Sequence, residues 1–584
     1  MKNILKRIVL LLVFLAGNLA FAQVNEGIGT EVINVVKPYT PTISDAFKVK
    51  EIPVLEDSEN TKTAAITYTI FSFPVASTFV PAKGNAVQAD KPAAEKLFAN
   101  YAELGGGNYG TISSALYLTH NFDAHNFINA AINHLSSAGG IKGVEIPDSY
   151  LKSGFDVTYG SKKQTYGWDA NLGYHLQKQH WYGIDFGPES LIDWTGISKD
   201  KFSKAQTFQR IDLGANLRFT DYMLKQVGVE YTRFWDAFNS SEIQFKVRPD
   251  LVFMQSNKEI KTALLLDHVS GSFAKDYENL PLSSYSSTSI GVQPSFAMQQ
   301  DDWSFSLGTA LFYNTTTQTT GSKFFIYPKL AASLKVVGDL MVFYTGIDGD
   351  LQQNTYRNFA QVNPFVSPTL FIAPTNKQMD VFAGLKGKLA SYLSYDVKAA
   401  LKQENNKALF RSNYLKFYAD ENEIYTFGNS FELIYDNVKT IQVTGGLKSD
   451  LNKDIAVGVQ ATVSKYVLSN EAYAWNLPQI ELQANAEVAF LPKWSAGTDL
   501  FFVGERKDAQ ADQIVMPLNL LPIEYTQTLK SYVDANFHLN YKHNARWGAF
   551  LKLNNVLNQN YQRWLNYPVQ GFQVLAGASH KFDF

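Results

Sequence analysis

The chain has 584 residues, with 52 Lys and Arg against 54 Asp and Glu, a balance that lacks the basic excess a nucleic-acid surface requires. Its composition is 45% hydrophobic and 14% aromatic, with 41 Phe, 31 Tyr and 9 Trp. It contains no cysteine, which excludes disulfides, thiolate metal sites and a lipid anchor on a mature N-terminal Cys.

At the N-terminus Lys2, Lys6 and Arg7 precede the apolar run IVLLLVFLAG, and Ala20-Phe21-Ala22 supplies a small-x-small cleavage site. This layout predicts a secretory signal peptide over residues 1–22. Removing its three positive charges takes the formal net charge from −2 to −5. Beyond residue 22 no apolar stretch approaches the ~18 to 20 residues of a membrane helix, so any crossing must be made by strands.

Residues 23–97 form a separate segment holding Pro38, Pro41, Pro53, Pro74, Pro81 and Pro92. Its short β-branched runs, as in EVINVVKPYTPTISDAF, are broken by proline and predict irregular or edge structure. Two placements stay open. The segment lies in a lumen or at a periplasmic mouth, or it is a tether that pairs with another protein by strand addition.

From residue 98 onward a two-residue rhythm dominates. YGWDANLGYHL (166–176) sets Tyr166, Trp168, Ala170, Leu172, Tyr174 and Leu176 on one face, against Gly167, Asp169, Asn171, Gly173 and His175. RIDLGANLRF (210–219), IAVGVQATVS (455–464), VDANFHLNY (533–541) and GFQVLAGASHKFDF (571–584) repeat the pattern. Successive strand residues point to opposite sides, so each run is a strand with one apolar and one polar face. Apolar stripes with aromatic ends are the mark of a membrane β-barrel. In lipid every backbone N–H and C=O must pair internally, so such a sheet must close. The reading is an all-β chain: a large transmembrane antiparallel β-barrel over 98–584, with about 20 to 24 strands, best taken as 22. Tight breaks at Ala390-Ser391, Leu491-Pro492-Lys493 and His543-Asn544-Ala545 are assigned to the periplasmic side. The longer polar insertions near 183–203, 353–376, 406–424, 506–525 and 557–570 are assigned outside.

The polar face supplies the candidate lumen lining: Arg210, Asp212, Arg218, Asp534, His538, Lys581 and Asp583. Their mixed signs predict a polar interior without strong charge preference. Phe582 and Phe584 end the last strand as aromatics of the kind the outer-membrane assembly machinery reads. His120, His125 and His134, spaced five and nine apart, lack the regularity of metal ligands and read as interfacial or loop residues. Asp348-Gly349-Asp350 reads as a turn at a strand end, since the remaining ligands of a calcium loop are missing. No Gly-x-Ser-x-Gly element occurs. Neither metal, cofactor nor catalytic residue is expected, and the chain is not read as an enzyme.

The stretch NNVLNQNYQRWLNYPVQGFQVLAGASHKFDF resembles the closing hairpin of TonB-dependent outer-membrane receptors. The matching positions are Asn555, Leu557, Tyr561, Tyr567, Pro568, Gly571 and Phe584. The segment from residue 354, NTYRNFAQVNPFVSPTLF, also looks like a mid-barrel piece of that group. The resemblance implies a barrel in the outer membrane of a Gram-negative bacterium. It departs where that family carries an N-terminal plug, since fewer than 80 residues lie between the expected signal peptide and the first strand and no Arg-Gly dipeptide occurs. EVINVV (31–36) matches an energy-coupling box only superficially. Two functions follow as alternatives. The barrel transports a solute, or it is a non-transporting subunit of an outer-membrane assembly or secretion complex. The expected partners are outer-membrane lipid, the assembly machinery during biogenesis, and another outer-membrane or periplasmic protein.

Overall fold

The computed structural model describes residues 97–584 apart from 185, 187–198, 257, 276, 278–283, 319–320, 416–422 and 513–522. The expected signal peptide and the proline-bearing segment up to residue 96 lie outside the described residues.

Alternating sequence becomes a single antiparallel sheet of 22 strands, from Asn100–Gly107 to Gln573–Phe582. The first strand pairs with the last, from Asn100↔Phe582 to Gly107↔Leu575, so the sheet closes and leaves no edge. The expected count of 22 is met. Register locks equivalent faces together around the wall. Leu172 pairs with Leu213, Leu447 with Val459 and Val443 with Val463. Leu172, Leu213, Leu447, Val459, Val443 and Val463 are all exposed. A soluble protein would not carry so continuous an apolar belt, whereas in a bilayer it faces hydrocarbon.

Strand length varies from 8 residues in Asn100–Gly107 to 22 in Phe431–Asn452. A tilted strand crosses the bilayer in about 9–11 residues, so the long strands project beyond it. Chain direction then sorts the connections. Ser391-Tyr392, Pro492-Lys493 and the turn 543–546 join strands at the end that carries the C-terminus. Another turn at that end is set by Asp123, whose Oδ1 accepts from the amides of His125 at 2.7 Å and Asn126 at 2.9 Å. These bonds to the ionised form hold the Asp123 carboxyl below its ordinary range. The long connections all leave the opposite end.

Two expectations are corrected. Asp348-Gly349-Asp350 is no turn: it lies inside the strand Met341–Gln352, where the register against Thr375–Ala390 shifts between Asp348 and Asp350 as at a β-bulge. Asp348 there meets Lys329 Nζ at 2.9 Å. The insertions expected at 406–424 and 506–525 also begin later or are partly regular. The strand Leu393–Ser412 takes up the start of the first, as far as Ser412, and Arg506–Asp512 pairs with Ile523–Leu529 outside the barrel wall.

Candidate functional site: the loop lid and the chamber beneath it

The long connections fold inward over the mouth. Ile146, Trp181, Phe202, Phe238, Phe273, Tyr356, Leu370, Tyr425, Trp564 and Tyr567, from loops around the whole rim, belong to one buried apolar cluster. Polar groups cross-link it. Trp181 Nε1 donates to the Phe365 carbonyl at 3.1 Å, Tyr182 Oη to Pro568 O at 3.1 Å, and Asn429 Nδ2 to Trp181 O at 2.9 Å. The Tyr567 hydroxyl donates to the Asn429 carbonyl, and its ring stacks on Phe365 with centroids 3.7 Å apart. The loop 555–572 is itself folded by Asn555. Its Nδ2 donates to Gln559 O at 2.7 Å and Gln570 O at 2.9 Å, at a positive φ of 46° that Asn tolerates. The described parts of these loops therefore pack as a lid at the mouth.

A short helix, Tyr356–Val362, carries the lid's inner surface and docks on the wall by its N-terminus. Thr355 caps it, accepting from the Asn358 amide at 3.1 Å. Two further amides of the first turn, Tyr356 and Arg357, donate to the Glu242 carboxylate at 2.6 and 3.2 Å. Tyr285 Oη adds a third bond at 2.5 Å. Glu242 is only 2% exposed, so these donors stand in for water. Next to it the Tyr356 hydroxyl donates to Asp236 Oδ2 at 2.8 Å, and Gln206 Nε2 to the same oxygen at 3.1 Å. Burial raises the Asp236 carboxyl above its ordinary range, against the pull of these bonds.

Arg357 reaches down into the barrel. Its guanidinium donates to Gln244 Oε1 at 2.9 Å and Thr232 Oγ1 at 3.1 Å, and stands 3.8 Å from Asp212. Asp212 also takes the Thr232 hydroxyl at 2.8 Å and pairs with Arg210 Nε at 2.5 Å. His175 Nε2 lies 3.1 Å from Asp156 and 3.8 Å from Asp212. Between this wall and the helix lies a cavity of about 520 Å³, lined by Lys152, His175, Gln177, Arg210, Phe234 and Gln361 among others. Its lining mixes charged and amide side chains with the apolar Leu176, Phe208, Phe234 and Ala360.

Of the residues singled out from sequence, Arg210 and Asp212 come together at this chamber. Arg218 shares their face but pairs with Asp169 at 2.6 Å, eight residues along the strand. At ~2.6 Å of height per residue for a tilted strand, it stands about 21 Å lower. Asp534 accepts from the Tyr561 hydroxyl of the lid at 3.0 Å. His538 Nε2 meets Glu487 at 2.8 Å on another part of the wall. Lys581 pairs in register with Tyr101, and Asp583 accepts the Ala99 amide at 3.0 Å at the rim. They form no single constellation. Sequence reading missed Glu242, Asp236, Tyr356 and Arg357. The one legible sign was Thr355, a good capping residue, ahead of the short run YRNFAQV.

Closed wall, apolar belt and inturned loops together define a large transmembrane β-barrel of 22 antiparallel strands, a fold the chain shares with solved outer-membrane receptors and transporters. Among solved structures the chain is similar to the FrpB iron transporter of Neisseria meningitidis, with a TM-score of 0.62 at 11% identity over 84% of this chain and 82% of that one. It is similar to the copper transporter OprC, at 0.60 and 11% over 84% and 82%. The ferripyoverdine receptor of the Pseudomonas aeruginosa outer membrane follows at 0.59 and 12%, over 84% and 72%. No family model matches the sequence, and no curated protein does.

Proposed function

We propose that this protein is a receptor-type barrel of the outer membrane that does not act as an open pore. Its working parts are the outer surface of its lid and the chamber beneath. The observation that carries this reading is the lid. Returning one large apolar side chain to water costs about 1.5–3 kcal/mol, so exposing even five would hold the open state at or below one molecule in roughly 10⁵. Thermal opening of the lid is then rare, which supports reading the barrel as a subunit that docks a partner protein. A second reading, solute passage with an external energy source opening the lid, is favoured by the fold shared with iron and copper transporters.

Single-channel recording in planar bilayers tests the proposal. The whole protein is expected to be silent, and a variant with residues 354–373 replaced by a short Gly-Ser linker to conduct. Steady conductance from the unaltered protein overturns it.

A further inference from the structure

Among the polar side chains that the described outer wall carries, a group centred on His134 joins one imidazole to two serines. On the strand Asn126–Ser137, the even positions Ile128, Ala130, Ile132, His134 and Ser136 share the lipid-facing side. Ile132 and its register partner Phe155 are both exposed. Asn133, on the other face, accepts the Tyr117 hydroxyl at 3.0 Å. His134 thus points away from the lumen. Its Nε2 lies 3.0 Å from Ser136 Oγ, and its Nδ1 lies 2.7 Å from Ser153 Oγ on the neighbouring strand. All three residues are half-buried, and Ser114 sits directly opposite His134 in register on its other side.

Depth gives this group its meaning. Ser153 pairs with Leu176 on the strand Tyr166–Gln179, two residues short of Lys178. Trp168 and Lys178 lie on the same face of that strand, ten residues apart. At ~2.6 Å per residue they are about 26 Å apart in height, which matches the ~25 Å apolar belt of such barrels. Lys178 is then at headgroup level on the long-loop side, and the serine–histidine group lies about 5 Å deeper, where the acyl-ester carbonyls of lipids are found.

We infer that His134, Ser136 and Ser153 form a lipid-facing acyl-ester hydrolase site, a nucleophile, base and orienter in the order that such chemistry requires. Ser153 Oγ accepts from Nδ1–H, which leaves Nε2 bare. Ser136 Oγ attacks the ester carbonyl carbon and its proton passes to His134 Nε2. The carbonyl–alkoxy bond breaks, the departing lipid alcohol takes that proton, and an acyl-serine remains. A water from the interface, deprotonated by the same nitrogen, attacks the acyl-serine, releases a fatty acid and restores Ser136. Ser114, with a hydroxyl on the same face, is placed to donate to the carbonyl oxygen. Ser136 and His134 are the catalytic residues and Ser153 a positioning residue. The substrate is an acyl ester of a membrane lipid. No Gly-x-Ser-x-Gly elbow is needed, because the flat wall itself presents the serine.

The full chain, reconstituted in phosphatidylethanolamine–phosphatidylglycerol vesicles or in vesicles containing an acylated glucosamine glycolipid, is assayed for fatty-acid release. A fluorophosphonate probe is used in parallel to map the labelled serine. The expected result is labelling at Ser136 and release in one vesicle type, which names the lipid source. Ser136→Ala is expected to abolish labelling and to lower release on the order of a thousandfold. Ser153→Ala is expected to lower kcat with KM unchanged and to shift the pH profile, with partial rescue by Ser153→Asn. Heat-modifiable gel mobility reports whether each variant is a folded barrel. Absence of label and of release in both vesicle types, or release unchanged in folded Ser136→Ala, overturns the inference. Ser114, His134 and Ser153 belong to the same stretch of wall that lines the chamber, and strand alternation turns their side chains to its outer face; fatty-acid release and conductance are therefore read separately, and failure of one leaves the other standing.

Discussion

At the residue scale the lid is held by a few buried charges whose partners come from distant strands. Glu242 is the clearest. It accepts from Tyr285 Oη and from two helix amides, and no water replaces any of them at 2% exposure. Glu242→Gln turns one acceptor oxygen into a donor facing donors. Each stranded partner costs about 1–3 kcal/mol, so the docked helix loses roughly 2–5 kcal/mol while the wall strands keep their ladder. Limited proteolysis of folded protein is expected to cut within 353–374 at least tenfold faster in this variant. Unchanged cleavage would show that the apolar cluster alone holds the helix. The helix cap is a milder test of the same contact, since Thr355→Ala removes one accepted amide and is expected to cost about 1 kcal/mol.

At the element scale the hairpin Arg506–Asp512 with Ile523–Leu529 depends on one carboxyl. Asp508 Oδ1 takes the Ser412 amide at 3.0 Å and its own neighbour Ala509's amide at 2.9 Å, while Oδ2 takes Asn476 Nδ2 at 2.9 Å. Burial outweighs these bonds and raises the carboxyl from 3.8 to about 7. The docked hairpin therefore keeps a proton that the undocked one releases near pH 4. Docking is strongest below pH 4, weakens as pH rises through 7, and is then flat, with about 4 kcal/mol between the limits. Protease susceptibility of 506–529 is expected to rise between pH 5 and pH 8, and Asp508→Asn to flatten that rise. A dependence of the opposite sign would mean that the three donors dominate over burial. Neither this hairpin nor the docked helix was legible in the sequence, for a physical reason. Strands such as Gln206–Phe219 announce themselves because a repeating face meets a uniform solvent, lipid on one side and polar lumen on the other. The lid has no period. Trp181, Tyr356, Asn429 and Tyr567 meet only because closure of the wall brings remote loops over one mouth. Arg210 and Asp212 could be placed on a face, but not the Arg357 that reaches them from the lid.

At the scale of the whole molecule everything depends on the seam between the first and last strands, since an open sheet would leave unpaired backbone in lipid. Gly105 and Gly577 are partners across that seam, and the Phe550 ring lies over both from the lumenal side. A Cβ at Gly105 would stand 2.9 Å from Phe550 Cζ. One at Gly577 would come within 2.7 Å of Gly105 Cα, and nearer still to Phe550. Backbone on a paired strand cannot yield as a flexible side chain does, so the strand must separate or the ring must leave. Gly577→Val is therefore expected to lose the heat-modifiable folded form, because each unpaired backbone group in hydrocarbon costs several kcal/mol. Adding Phe550→Ala removes only the ring clash. If the double variant folds, the ring was the obstacle and the seam tolerates a side chain. If it stays unfolded, the close backbone approach at Gly105 is what closes the barrel. The alternating, glycine-bearing last strand is thus the one on which closure turns.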